Sequence, residues 1–445
     1  MRMELKNFSE TIKVIGSFDT VVVGGGCAGA SAAISSAKGK NKTLLIEKMI
    51  NLGGTATNAL VSPMMPSYVT HFENFSEIEE MLRKKGCATR DSITEYVWFN
   101  SEVMSEVLEE IYLNAGGAVL YDSVVVDCVV EDKKITELLL MTVEGIVAVK
   151  GRHFIDASGD AILTRLANVP TVSGDEDGNN QMSSLRFELA GIDVEEYRNY
   201  CLELNDEFSP LKVGYFFESA MVKGKDFKLE PIFQKGVEAG ILKEEDLRYY
   251  QCFSLPSKEG CMTFNCPHIA SLKKNTNALA RSLAITEGRQ MIHRLVRFLK
   301  EYMPGFEGCY LLREANMLGI RESYRLIGTY VLTEEDYINR ARFEDGIARG
   351  DWYIDVHSAS KGLVHKDKFK PGEYYEIPYR ALTNPGVENL LTVGRCISTT
   401  FLMQASIRIL PTVIDMGQIA GEAAVYAEKN GIVLNAVDGK YLRKF

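Results

Sequence analysis

The sequence predicts an α/β fold built on a parallel sheet, and its first fifty residues carry most of that prediction. Residues 19–24, DTVVVG, are a β-branched run ending in glycine, the pattern of a buried strand. Residues 27–37, CAGASAAISSA, are small and helix-compatible, and residues 43–47, TLLIE, read as a second strand. Strand, helix and strand in so short a span form a βαβ unit, whose two strands run parallel.

The later elements follow in order. Residues 100–115 place Val103, Val107, Leu108, Ile111 and Tyr112 at helical spacing, with acidic residues on the other face, and Gly116 and Gly117 stop the helix. Residues 119–150 then read as strands joined by short polar turns, an antiparallel meander. The apolar run RHFIDASGD follows at once and ends in small residues. SGDEDGNN at 173–180 reads as an exposed loop, and 277–301 as a long helix ending before Met303 and Pro304. NLLTVG at 389–394 is a strand, and Pro411 to Gly431 bound a helix, with proline in its first turn and glycine at its end.

A chain of 445 residues is too long for one ordinary core. The expected division is a discontinuous nucleotide-binding domain, 1–170 with 385–445, and an inserted α+β substrate or cap domain, 171–384. The composition, 46% apolar and 25% charged, is that of a folded globular protein. The net charge is −10 and the basic residues are scattered, which argues against nucleic acid as a partner. No apolar run reaches the ~18 residues of a membrane span, and the N-terminus lacks the pattern of a signal peptide. Nine cysteines, odd in number, irregular in spacing and without CxxC, read as a reduced cytoplasmic protein. A homo-oligomer or a redox partner protein stays open.

The strongest chemical signal lies between the first strand and its helix. Gly24, Gly26 and Gly29 fill a GxGxxG pattern. Gly24 permits the tight turn, Gly26 lets the backbone approach a pyrophosphate, and Gly29 lets the helix pack on the strand. The helix N-terminus offers free N–H groups and a positive dipole end to phosphate. Glu47 ends the second strand, 21 residues after Gly26, placed to accept from a ribose diol and to repel a 2′-phosphate. Gly53, Gly54 and Thr55 then supply a second backbone turn for a longer cofactor. A meander follows where an NAD-type unit would return to another βαβ repeat. Both features favour FAD, in a Rossmann-like domain.

At this point the chain resembles the FAD-dependent oxidoreductases of the FAD_oxidored group, glutathione-reductase-like flavoproteins distantly related to the fumarate reductase flavoproteins. The resemblance covers most of the chain. It is carried by DTVVVGGGCAGASAAI, LLIEKMINLGGTAT, FIDASGDAILTRLANVP, NMLGIRESYRLIGTYVLTEEDY and NLLTVGRCISTTFLMQASIRILPTVIDMGQIAGEAA. It implies that Gly24, Gly26 and Gly29 contact the pyrophosphate and that Glu47 holds the adenosine ribose beside Lys48. It implies that Gly53, Gly54 and Thr55 line the flavin side and that the Val126 backbone lies near the adenine. Ala157, Ser158, Gly159 and Asp160 would form a strand end returning to the cofactor. Gly394 and Arg395 match a second such motif, although many relatives carry an acid at the latter position. Ile409 and Leu410 would donate backbone N–H groups to the isoalloxazine at the start of the last long helix, whose dipole favours the anionic reduced flavin. Fumarate reductase relatives often tether FAD through a histidine near the second glycine turn. None occurs in residues 47–70, so non-covalent FAD is expected.

With flavin carrying the redox chemistry, the protein needs to position a substrate and move protons. Arg408, just before the last helix, is a candidate for binding a substrate carboxylate; the alternative is a structural ion pair. Arg321, with Glu322 and Arg325, is a candidate active-site cluster or a solvated helix face. His357 follows Asp355 by two residues, which in a strand puts both on one face as an acid–base pair; the alternative is a structural imidazole. His71, His153, His268, His293 and His365 have weaker cases. Cys27, at a helix N-terminus, reads better as packing than as a redox thiol. Cys252, Cys261 and Cys266 fit no iron–sulfur spacing.

The expected function is hydride transfer between flavin N5 and a small organic substrate, carboxylated if Arg408 binds it. Two alternatives are an electron-transfer flavoprotein subunit and a non-redox dinucleotide-binding enzyme of the thiazole-synthase type.

Overall fold

The structure, a computed structural model, describes residues 12–90, 97–204, 217–358, 362–365 and 369–445. The first eleven residues, part of the stretch read for a signal peptide, lie outside the described residues, as does the side chain of His365.

The βαβ unit forms as the glycine pattern dictates. The first strand spans Lys13–Val23, longer at its start than the sequence suggested, and its helix spans Cys27–Lys38. The strand Thr43–Ile46 pairs parallel to the first, Val21 opposite Leu44. The strand Ala118–Leu120 extends the sheet on the far side, also parallel, rather than opening the meander as expected. The helix between, Ser101–Asn114, is capped by the Asn100 side chain, which accepts from the Glu102 N–H.

The meander is antiparallel, as expected, through Val124–Glu131, Lys134–Thr142 and Gly145–Asp156. Its last strand is where the structure is more economical than the sequence reading. IVAVKG and RHFID are one continuous strand of 12 residues. Its first half pairs with the meander, Leu138 opposite Val149. Its second half is central to the parallel sheet, with Phe154 between Val21 and Leu390. The strand therefore delivers its C-terminal end, Ala157 to Asp160, beside the glycine turn. Asp156 fixes that end. Fully buried, it accepts from the N–H and hydroxyl groups of both Ser158 and Thr164.

The last long helix, Leu410–Asn430, ends on Gly431 in the left-handed conformation, φ 62°. It packs against Cys27–Lys38 through a stripe of small residues. A Cβ on Gly417 would stand 2.1 Å from the Ala28 carbonyl oxygen, and one on Gly421 2.2 Å from that of Ala32. Backbone therefore lies against backbone, and the N-terminus of the last helix is drawn toward the glycine turn.

A second unit packs a five-stranded antiparallel sheet, in the order Glu218–Val222, Tyr249–Ser254, Met262–Phe264, Phe187–Ala190 and Tyr310–Glu314, against the helix Ala278–Tyr302. Its apolar core runs from Leu185 to Ile320, with Leu60 reaching in from the first unit. Leu332, Tyr337, Ile347, Tyr375 and Tyr379 pack elsewhere and join the core of the first unit. The stretch 171–384, read as one insertion, thus divides between two cores. Its first loop also differs from the exposed segment expected, because Asn180 is buried and bonds to Glu322.

Gly417→Ala tests the small-residue stripe. Overpacking of this kind costs about 1–3 kcal/mol, and urea unfolding of the variant should show a loss of that size. An unchanged midpoint would mean that the two helices do not depend on that contact.

A cavity between the glycine turn and a buried arginine cluster

One cleft of about 490 Å³ gathers most of the residues singled out by sequence. Gly24 and Gly26 line its near end, with Glu47, Lys48, Gly54 and Thr55 beside them. Ala157, Ser158, Gly159 and Asp160 form one wall, and Gly394, Arg395, Ile409 and Leu410 another. Arg321, His357 and Arg408 line the far end. Gly29, Gly53 and Val126 are not among the lining residues.

The glycines divide by role. A Cβ on Gly29 would lie 1.8 Å from the Gly24 carbonyl oxygen, so Gly29 serves helix–strand contact behind the wall. Gly24 has φ +97°, which glycine alone adopts readily. Gly26 differs from both: the nearest atom to a Cβ there is 4.0 Å away. A side chain at that position would stand in the cleft itself. Gly26 also precedes the helix as its N-cap without any side-chain cap, which leaves the first-turn N–H groups for a ligand. Gly53, at φ +103°, donates its N–H to the Gly25 carbonyl and docks the second turn on the first.

Glu47 is buried, and its carboxylate accepts from the Gly25 N–H at 2.6 Å and the Met49 N–H at 2.9 Å. It thus braces the glycine turn as well as facing the cleft. Val126 falls where the pairing register shifts between Val125 and Asp127, so this bulge residue stands outside the regular ladder. Asp160 is clamped by Arg281 at 3.0 Å, Arg395 at 3.1 Å and the Ser323 hydroxyl at 2.6 Å. Against the rise that burial alone would cause, the Arg395 and Arg281 guanidiniums hold its carboxyl well below the usual range. Lys48, Arg281 and Arg395 then outnumber Glu47 and Asp160, which suits a pyrophosphate.

At the other side, Ile409 is the N-cap of the last helix and Leu410 its first residue. No side chain caps this end, and both residues face the cleft. The glycine cradle, the cationic wall and the open helix ends together fit an extended dinucleotide cofactor.

The far end is built from side chains on separate elements. Asp355 and His357 lie in the strand Asp355–Ser358, on one face as their spacing required, with Nε2 of His357 3.2 Å from the Asp355 carboxylate. Burial, then the charge of Arg321, pushes the imidazole down to about 4. It is therefore neutral at pH 7, with Nε2–H directed at Asp355 and Nδ1 lacking a hydrogen-bond partner. Arg408 donates to the Asp355 carbonyl at 3.1 Å and stands 3.6 Å from its carboxylate.

Arg321 is not part of a solvated helix face. It lies in an irregular segment before the strand Tyr324–Leu326, buried, donating to the Met182 carbonyl at 2.8 Å with Nη2 3.1 Å from Nε2 of His268. Glu322 and Arg325 turn the other way as a buried ion pair, and Glu322 also takes the Gly174 N–H.

The sequence reading missed Arg186, Tyr249 and Arg281. They come from three segments of the second unit, more than thirty residues apart from one another, and no local spacing marks them. Arg186 is buried and donates to the Leu60 carbonyl at 3.1 Å. Tyr249 stacks on His268 at 4.3 Å.

Other candidates resolve as structure. Cys27 sits at the helix N-terminus as expected, yet burial pushes its thiol up to about 12, and Sγ packs on the Gly53 carbonyl. His71 pairs with Asp415 at 2.7 Å, and His153 with Glu428 at 3.2 Å. No cluster of metal-ligating side chains occurs among the described residues. No described helix is long and apolar enough to cross a membrane.

The chain is 10% identical to p-nitrophenol 4-monooxygenase PnpA from Pseudomonas putida DLL-E4, covering 96% of this chain and 84% of that one with a TM-score of 0.53, a likeness of fold. A geranylgeranyl bacteriochlorophyll reductase-like protein from Thermoplasma acidophilum is 15% identical, over 94% and 80%, with a TM-score of 0.48. The myxobacterial chondrochloren halogenase CndH is 13% identical, over 94% and 76%, also at 0.48. No curated protein matches the chain. The family described as FAD dependent oxidoreductase matches residues 19–445, and the chain belongs to it.

Proposed function

We propose that the protein binds FAD non-covalently along this cleft and oxidises or reduces a small organic acid at the arginine end. The supporting observation is continuity: one cavity runs from the Gly24–Gly26 cradle to Arg321, Arg408 and His357. The electron-transfer alternative requires an absent or plugged substrate space, and the open far end disfavours it.

The chemistry supplied by bound FAD is hydride transfer through N5. Gly24, Gly26, Glu47, Lys48 and the Ala157–Asp160 turn would hold its adenosine and pyrophosphate part, with the Val126 backbone toward the adenine. Gly54, Thr55, Gly394, Arg395 and the N–H groups of the Ile409–Leu410 helix end would hold the flavin part, while Gly29 and Gly53 support these turns from behind.

Arg408 orients a substrate carboxylate, and Asp355 holds Arg408 in place. His357 lines the cleft and takes or returns the substrate proton, and Asp355 fixes its tautomer through Nε2. Trp352 and Tyr353 also line the cleft and limit water beside the reacting atoms.

Purified protein should be yellow, and acid precipitation should release the colour to the supernatant. Colourless protein that fails to take up added FAD would refute the cofactor assignment. Flavin retained in the pellet would refute only the non-covalent attachment. Under anaerobic conditions, small organic acids or their oxidised counterparts should change the flavin absorbance. A response to a reduced protein donor alone would favour the electron-transfer reading. Glu47→Ala should weaken FAD binding roughly ten- to hundredfold, the worth of a charged hydrogen bond, as measured by fluorescence titration; unchanged affinity would remove the ribose assignment.

His357 also gives a pH prediction. The unfolded imidazole takes up its proton near 6.5, whereas the folded one does so only near 4. Between those values the unfolded chain binds more protons, so stability is lost as pH drops from about 6.5 to about 4, by on the order of 3 kcal/mol for this residue, and the loss levels off below that window. Burial depresses His268 in the same direction. His357→Asn should therefore lose less stability than the parent between pH 7 and 4.5, as read from urea midpoints. Equal losses would contradict the neutral assignment.

A further inference from the structure

Charge at the far end of the cavity is out of balance. Arg186, Arg321 and Arg408 all line it. They are close enough to act on one another: Arg408 and Arg186 both repel Arg321, and Arg408 repels Arg186. Asp355 is the one carboxylate among the described residues lining this end, because Glu47 and Asp160 are engaged at the other. Glu218 lies behind the wall, where it accepts from the Gln251 amide at 2.8 Å.

The remaining titratable groups do not restore the balance. His268 faces an Arg321 donor with Nε2, so that nitrogen must accept and the ring is neutral. His357 is neutral, and burial raises the Tyr249 hydroxyl above its ordinary range. Three guanidiniums against one carboxylate leave two positive charges.

Those charges are also under-used as donors. The Nε–H groups of Arg186 and Arg408 are buried without hydrogen-bond partners. Burial followed by mutual repulsion drives Arg321 down to about 9, and burial first of all drives Arg186 down to about 10. Uncompensated buried charge is costly, and an anion of matching charge in the cleft relieves the repulsion.

We propose that this end of the cavity binds a small organic dianion, its two negative charges carried on carboxylate or phosphate oxygens and held by Arg186, Arg321 and Arg408. The assignment rests on the flavin reading in one respect: the oxidised isoalloxazine that would share the cleft carries no charge and cannot supply the balance. Arg186 and Arg321 supply the second anion contact beyond the single carboxylate that Arg408 alone would take. His268, which accepts from Arg321 and stacks on Tyr249, acts as a positioning residue for that contact.

The test uses the full chain after its FAD content has been measured by absorbance. Malonate, succinate, glycerol 3-phosphate, acetate and butyrate are titrated at fixed ionic strength. Binding is read by the flavin difference spectrum and, independently, by the shift in melting temperature. At least one dianion should bind tenfold or more tighter than either monoanion. A preference for the dicarboxylates names carboxylate as the source of the charge, and a preference for glycerol 3-phosphate names phosphate. Arg186→Gln should weaken the preferred dianion by on the order of ten- to hundredfold and narrow its advantage over the monoanions. Arg186→Lys, which keeps the charge, should recover part of the loss.

Equal binding of mono- and dianions, or no anion binding by the FAD-loaded parent, overturns the proposal. Those comparisons on the parent stand even if a variant fails to fold. A protein that takes up no FAD but whose melting temperature still rises selectively with dianions would sink the flavin reading and leave the dianion site standing.

Discussion

The contact on which the structure depends is the approach of the helix Cys27–Lys38 to the end of the first strand. Gly29 lies so close to the Gly24 carbonyl that no side chain fits between them. That closeness aims the helix N-terminus into the cleft and lets the Ala157–Asp160 turn pack alongside. It is repeated where Gly417 and Gly421 meet the carbonyls of Ala28 and Ala32. Two helix N-termini thereby face one cavity, each without a side-chain cap. Their free N–H groups are costly to leave without partners and useful to an anionic or electron-rich ligand.

What was legible in the sequence follows from this constraint. Close backbone approach requires glycine at fixed spacing, and buried parallel strands require runs such as VVV and LLI. The glycine-turn end of the cleft could therefore be located from the sequence, although Gly29, Gly53 and Val126 do not line it. The meander was legible from its polar turns. The continuity of Gly145–Asp156 was not, because a strand that serves two sheet regions carries no break to find.

The far end was only partly legible. His357 and Asp355 could be paired because two residues in a strand share a face. Arg408 could be placed because it abuts the last helix. Arg186 and Tyr249 reach the cleft from the second unit, and their convergence is a product of tertiary packing. The cluster at Arg321–Arg325 shows the same limit. Arg321 enters the cleft while Glu322 and Arg325 pair away from it, in a segment that is not helical. The ends of the cavity also differ in electrostatic design. Asp160 is neutralised in place by two arginines, whereas Arg186, Arg321 and Arg408 share one acid.

The central claim is that one cleft holds FAD between these helix ends and presents its flavin to the arginine cluster. A structure of the FAD-loaded protein tests it most directly. The pyrophosphate should lie against Gly24 and Gly26, and the isoalloxazine beside the Ile409–Leu410 helix end, within reach of His357 and Arg408. Flavin density elsewhere, or an isoalloxazine turned away from the arginines, would contradict it.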